Sequence, residues 1–205
     1  MSTSNEKQIA LVTGGSSGIG RAVARQLAES GARVIVTGRH EEALRESASQ
    51  HPHIGYIVAA LAKPADSART IEEVKRRHDR LDILVNNAAN TPFAPLEHAS
   101  PEHVRDVFDV NVHGVVELTR LALPLLRQSK GTIVNLGSIV AAKPVPGGAV
   151  YAASKAALIT LSQCWARELA ADGIRVNGVS PGPIDTPALK KSGFPMEQIE
   201  QIALQ

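Results

Sequence analysis

Tyr151 and Lys155 stand four residues apart in the run VYAASKAAL (150–158), separated only by Ala152, Ala153 and Ser154. In a helix, positions i and i+4 share a face with Cβ atoms about 6 Å apart, so this phenol and ammonium can reach one substrate. A free phenol has a pKa of about 10, too high for efficient proton exchange near neutrality. Lowering it by about three units takes roughly 4 kcal/mol. One ammonium about 4 Å away supplies about that much at an effective dielectric of about 20. A helix N-terminus beside the ring adds a smaller effect of the same sign. The pair is therefore sufficient for acid–base chemistry, and the small residues between leave room for a substrate and a cofactor. The competing reading is a core tyrosine beside a snorkelling lysine. Ser138 tips the balance toward chemistry. It ends the apolar run TIVNLGS (132–138), just ahead of the Tyr151 helix. Its hydroxyl can donate to a carbonyl oxygen that gains charge; otherwise it caps its own loop.

A second constellation lies near the start. TGGSSGIG (13–20) spaces Gly14, Gly18 and Gly20 as G-x-x-x-G-x-G between a first strand and a first helix. Glycines permit a tight turn and let backbone approach a pyrophosphate, which then meets amides at the helix N-terminus. A site for NAD usually ends its second strand in an acid that holds the ribose 2′-hydroxyl. Here that strand runs VIVTGRH, and Arg39 stands where an acid is expected. A guanidinium suits a 2′-phosphate, so the expected cofactor is NADP(H), with NAD(H) the alternative if Arg39 is only a solvated loop residue.

The elements that must carry these groups alternate. Apolar strand-like runs are predicted at 9–14, 32–38, 54–60, 81–89, 132–138 and 174–182. Helical stretches fall between them at 18–30, 41–48, about 65–78, 101–128 and 151–171. Ile19, Val23 and Leu27 repeat at helical spacing. Ser100 followed by Pro101 marks a helix start, and Gly31 a helix stop. Continuous apolar strands between helices imply a parallel sheet covered on both faces. The expected architecture is one doubly wound, three-layer α/β/α Rossmann domain over 1–205, with its ligand beyond the carboxyl ends of the strands.

Composition narrows the function. Of the 205 residues, 43% are hydrophobic and 3% aromatic, so the core must be aliphatic. A formal charge of +2 implies no nucleic acid, and KRRH (75–78) reads as a solvated helix face. The single cysteine, Cys164, fits a reducing cytoplasm. The start MSTSNEKQ lacks an apolar signal core, and no run is long enough to span a membrane. The seven histidines lack metal-ligand spacing, so no metal is expected.

Together these runs resemble the short-chain dehydrogenase/reductase family. TGGSSGIG matches its cofactor loop and NNAA (86–89) its motif after strand four; Asn111 in NVHG, Ser138, YAASK and PGPIDT (181–186) follow in order. The resemblance implies a ketone/secondary-alcohol oxidoreductase in which Tyr151 exchanges the proton. Lys155 would lower its pKa and hold the nicotinamide ribose, Ser138 would orient the carbonyl, and Asn111 would anchor a water. It further implies cofactor contacts from Gly14, Ser16, Ser17, Gly18, Ile19 and Gly20, from Arg39 and Asn87, and from Pro181, Gly182, Ile184 and Thr186.

Three departures stand out: Ala89 replaces a usual glycine, Ala60 an aspartate often set against adenine, and the usual last helix and seventh strand are not seen. The last departure leads to an expected homodimer through the helices at 101–128 and 151–171, with the segment from about Ala188 to Gln205 mobile or displaced and turnover weak. A dinucleotide-binding sensor or assembly protein with little turnover is the rival reading. Ile139, Val140, Val145 and Phe194 hint at an apolar substrate pocket.

Overall fold

The computed structural model describes residues 7–192. Six strands are present: β1 (Ile9–Thr13), β2 (Arg33–Gly38), β3 (Ile54–Val58), β4 (Ile83–Asn86), β5 (Thr132–Leu136) and β6 (Arg175–Val179). They form one sheet in the order β3-β2-β1-β4-β5-β6, and every pairing is parallel. Successive side chains of a strand point to opposite faces, and β1 feeds two separate cores. Ile9 and Leu11 join Leu84, Ile133, Leu118 and Leu126 on one side. Ala10 and Val12 join Val34, Val36, Ala24 and Leu44 on the other. Both faces are apolar because both are covered, as the continuous apolar strands predict. The sheet is therefore the doubly wound α/β architecture expected from the sequence. Its order reverses at β1, whose neighbours are β2 and β4, so the chain leaves their carboxyl ends in opposite directions and opens a crevice there.

Seven α-helices are described: α1 (Gly18–Glu29), α2 (Glu41–Ser49), α3 (Pro64–His78), α4 (Pro101–Phe108), α5 (Gly114–Ser129), α6 (Ala149–Glu168) and α7 (Pro187–Lys191). Ser100 caps α4 by accepting from the His103 N–H, with Pro101 in the first turn. The basic run on α3 is a solvated face: Arg76 and Arg77 both pair with Glu73.

The structure departs from the sequence reading in four places. The helix expected over 101–128 is interrupted by a π turn, Asp109–His113. A Cβ at Gly114, where α5 begins, would overlap the Leu61 carbonyl, so only glycine lets the helix seat against the end of β3. Strand β4 ends at Asn86 rather than near residue 89, because the Asn87 and Ala88 N–H groups both turn to the Thr13 hydroxyl, at 3.0 Å each. Helix α6 begins two residues before Tyr151 and closes through a 3-10 turn, Ala170–Asp172. Instead of a displaced segment from Ala188, Thr186 caps α7, and the Phe93 N–H donates to the Ser192 carbonyl at 2.8 Å. Phe194 and the chain end, where the last helix and strand were missed, lie outside the described residues.

A buried polar chain crosses the second half of the sheet. The Asn86 amide on β4 donates to the Thr119 hydroxyl (3.0 Å) and to Asn135 Oδ1 on β5 (2.8 Å). The Asn135 amide donates in turn to Ser162 of α6 at 2.8 Å.

Candidate active site

A cavity of about 900 Å3 runs along the carboxyl ends of the strands. Arg39 and Ala60 line one end, the 14–20 loop its middle, and Ser138, Tyr151 and Lys155 the other end. Pro181, Gly182, Ile184 and Thr186 also line it. Of the catalytic and cofactor-binding residues read from the sequence, all but one line this single cavity.

The glycine loop is shaped by what presses on it. Gly14 and Gly18 have φ of +67° and +53°, in the left-handed region where glycine is the natural occupant. A Cβ on Gly14 would come within 2.8 Å of Ala88 Cα, and one on Gly20 would overlap the Gly14 carbonyl. Asn87 secures this arrangement: its amide donates to the Thr13 carbonyl (2.8 Å) and the Gly14 carbonyl (3.2 Å). Its side chain thus works on the loop, while the residue still lines the cavity. Arg21 anchors the loop from behind, donating to the Ser16 carbonyl at 2.5 Å, to Ser47 at 2.8 Å and to Glu46 at 2.7 Å. The loop leads into the N-terminus of α1, whose first amides have no partners inside the helix. A bare backbone cradle, a helix N-terminus and an elongated cavity fit a dinucleotide pyrophosphate.

At the adenosine end, Arg39 is exposed and makes no hydrogen bond or ion pair among the described residues. Its guanidinium is therefore available to a phosphate. The Ala60 N–H is already engaged, donating to Asp66 Oδ2 at 2.8 Å. Sequence reasoning missed Asp66, which lines the cavity from the first turn of α3.

The opposite end is buried. Lys155 is 2% exposed, and its Nζ donates to the Leu136 carbonyl at 2.6 Å while standing 5.8 Å from the Tyr151 ring centre. Burial pushes the Lys155 ammonium down to about 8. Burial also pushes the Tyr151 phenol above its ordinary value, and a hydrogen bond with Ser138 draws it partway back. The sequence argument expected the ammonium to lower the phenol. In the structure desolvation has the larger effect, and Lys155 is turned to the end of β5.

Asn111 is the residue that does not reach the cavity. It is fully buried in the π turn; its Oδ1 accepts from the Asn90 N–H at 2.7 Å, and its amide donates to the Asn90 carbonyl and the Ser154 hydroxyl. Ser154 in turn donates to the Tyr151 carbonyl at 2.7 Å. The Asn111 side chain therefore braces the loop after β4 against the first turn of α6. The apolar wall also differs from expectation. Ile139 and Val140 line the cavity, but Val145 packs beneath Gly148 instead. Phe93 was not foreseen; it lines the cavity 5.9 Å from the Tyr151 ring. Its only sequence signal was its place shortly after NNAA.

A doubly wound sheet with a glycine cradle at its switch point defines a dinucleotide-dependent class of α/β protein. The family model described as short chain dehydrogenase matches residues 8–196, and the chain belongs to that family. The 3-oxoacyl-[acyl-carrier-protein] reductase FabG of Thermotoga maritima is 37% identical over 191 residues, covering 91% of this chain and 78% of that protein. The crystal structure of a 3-ketoacyl-(acyl-carrier-protein) reductase from Brucella melitensis, complexed with NADH, superposes with a TM-score of 0.87 at 31% identity, covering 91% of this chain and 80% of that one. The Pseudomonas aeruginosa RhlG/NADP complex gives 0.86 at 36% identity, covering 91% and 77%. The protein is accordingly a short-chain dehydrogenase/reductase enzyme. No helix among the described residues is long and apolar enough to cross a membrane, and no group of three or more metal-ligating side chains occurs among them.

Proposed function

We propose that this enzyme interconverts a ketone and a secondary alcohol, preferring NADP(H) to NAD(H). The observation that carries the reading is the convergence of Ser138, Tyr151 and Lys155 at one end of a cavity whose other end presents an unpaired arginine, Arg39. The bound nicotinamide supplies or accepts the hydride. Ser138 holds the substrate oxygen by donating its hydroxyl proton, where charge grows during reduction. Tyr151 gives that oxygen its proton. A phenol held above its ordinary value keeps its proton at neutral pH, the form needed for reduction. Lys155 keeps a positive charge below pH about 8 and so favours negative charge on the phenol oxygen as the proton leaves. Phe93, Ile139 and Val140 give the substrate an apolar wall. The related reductases named above act on keto groups, which supports the substrate class.

The adenosine 2′-phosphate would meet Arg39, and the pyrophosphate the backbone of Ser16, Ser17, Gly18 and Ile19. The enzyme would act in the cytoplasm as a homodimer through α4, α5 and α6, which sedimentation can check. The deciding experiment is consumption of NADPH and of NADH over a panel of ketones. Turnover with NADPH exceeding that with NADH supports the reading. Binding of both dinucleotides without turnover of any ketone would favour a sensor or assembly role.

A further inference from the structure

The lysines and arginines that line the cavity are Arg39, Lys63, Lys155 and Lys191. Arg39 and Lys63 belong to the adenosine end, and Lys155 is engaged by the Leu136 carbonyl beneath Tyr151. Lys191 has no part in the reading so far. We propose that Lys191 selects the substrate, as the counter-charge for a carboxylate that the ketone carries away from its reacting carbon. This deepens the ketone reading above and rests on it.

Helix α7 runs from the glycine loop toward the reactive end. Its cap, Thr186, stands against the loop, where a Cβ on Gly18 would come within 3.2 Å of the Thr186 side chain. Beyond its last residue, the Ser192 carbonyl accepts from the Phe93 N–H at 2.8 Å, and the Phe93 ring lies 5.9 Å from the Tyr151 ring. Lys191 is five residues past Thr186, about 7.5 Å along the helix axis, and adjoins the residue that joins Phe93. Its neighbour Lys190 pairs with Asp185 at 3.0 Å, and neither of those two lines the cavity. Lys191 does line it, and makes no hydrogen bond or ion pair among the described residues. The one acid among the described lining residues, Asp66, is at the far end. A bound dinucleotide directs its phosphates to the glycine loop and Arg39, which leaves Lys191 as the uncommitted cation beside the substrate. The wall next to it is apolar: Phe93, Ile139, Val140 and Leu189. A ketone with a hydrocarbon stem and a terminal carboxylate matches both features. Lys191 is exposed, so pairing it removes little water. A point charge on a flexible stem can also meet carboxylates at more than one distance.

Two accounts compete: Lys191 only keeps the rim hydrated, or it meets the cofactor pyrophosphate. They are separated by NADPH-dependent reduction of methyl ketones bearing a carboxylate two, three or four methylenes from the keto carbon, each measured beside its methyl ester. The ester removes the charge and keeps the stem. At the best-fitting spacing, the parent is expected to show kcat/KM about tenfold higher for the acid than for the ester. That ratio should fall to about one in Lys191→Met and below one in Lys191→Glu, where like charges meet. NADPH affinity, read by calorimetry, should stay within about twofold of the parent in Lys191→Met. A pyrophosphate contact would instead weaken NADPH and lower acid and ester alike, leaving their ratio untouched. The proposal is overturned if the parent shows no preference for the acid at any spacing, a result that needs no variant. It is also overturned if a folded Lys191→Met keeps the preference. Turnover of the esters without that preference leaves the ketone reading standing and removes this proposal alone. If neither acids nor esters are turned over, the ketone reading falls and takes this proposal with it.

Discussion

The two ends of the cavity are built on different physical terms. At the adenosine end the charged groups keep contact with solvent: Arg39 is exposed, and Asp66, half-buried, is held by one backbone amide and one arginine. At the reactive end Lys155 is enclosed and Tyr151 largely so, and both carry proton affinities displaced by burial. Groups in water are screened and cheap to exchange, so selectivity for the ligand can be altered there without disturbing the core. Groups out of water hold shifted protonation states that solvent would erase, and any change there reaches the packing as well.

Tyr151→Phe tests the buried end most severely. It keeps the ring and its contact with Phe93 while removing the proton, so turnover should fall by about 100- to 10,000-fold. Dinucleotide affinity, measured by calorimetry, should stay within a few-fold of the parent. Parent-like ketone reduction by this variant would refute the assignment of the proton donor.

Arg39→Asp is the matching test at the exposed end. It removes a phosphate partner and adds an acceptor for a ribose hydroxyl. The NADPH-over-NADH ratio of kcat/KM should drop by about 10- to 100-fold, with kcat for the preferred cofactor little changed. An unmoved ratio would make Arg39 a loop residue only.

Lys155 allows a comparison by pH. Its ammonium titrates at about 8 in the folded chain against an ordinary 10.5. Between those values the unfolded chain binds the extra proton, so stability rises with pH across that window. The cost of burying the charge is fully present below pH 8 and fades above it. Relative to Lys155→Met, the parent should therefore gain stability between pH 7.5 and 10, by ~1–3 kcal/mol in urea unfolding. A flat difference would mean that the ammonium is not desolvated.

The smallest expected effect is that of salt. Because Arg39 is exposed, raising ionic strength from about 0.05 to 0.5 M should weaken NADPH preference a few-fold. The rate of the chemical step, read by single turnover at saturating cofactor, should not follow it.

Much of this was legible in the sequence because the signals are local. The strands were visible as apolar runs, and the glycine spacing belongs to one turn. Tyr151 and Lys155 share a helical face, a relation that four residues suffice to specify. What escaped depends on chain segments meeting. Asp66 is six residues from Ala60, and only the turn into α3 brings its carboxylate back. Phe93 meets Tyr151 across 58 positions of chain. The π turn that buries Asn111 and the close approach of Gly114 to Leu61 are features that no periodicity reveals. The upward displacement of the Tyr151 phenol escaped as well, because desolvation is set by everything packed around the ring.

The amide chain through Asn86, Asn135 and Ser162 bears on how the parallel sheet finds its alignment. Apolar strands can slide past one another and still bury hydrocarbon. A slip of β4 against β5 by one residue would turn Asn86 to the opposite face and leave buried amides without partners, at about 1–3 kcal/mol for each unsatisfied group. Val and Ile side chains do not distinguish the two alignments so sharply. Asn86 opposite Asn135 thus acts as a notch that admits one register, placing Leu136 O where Lys155 finds it.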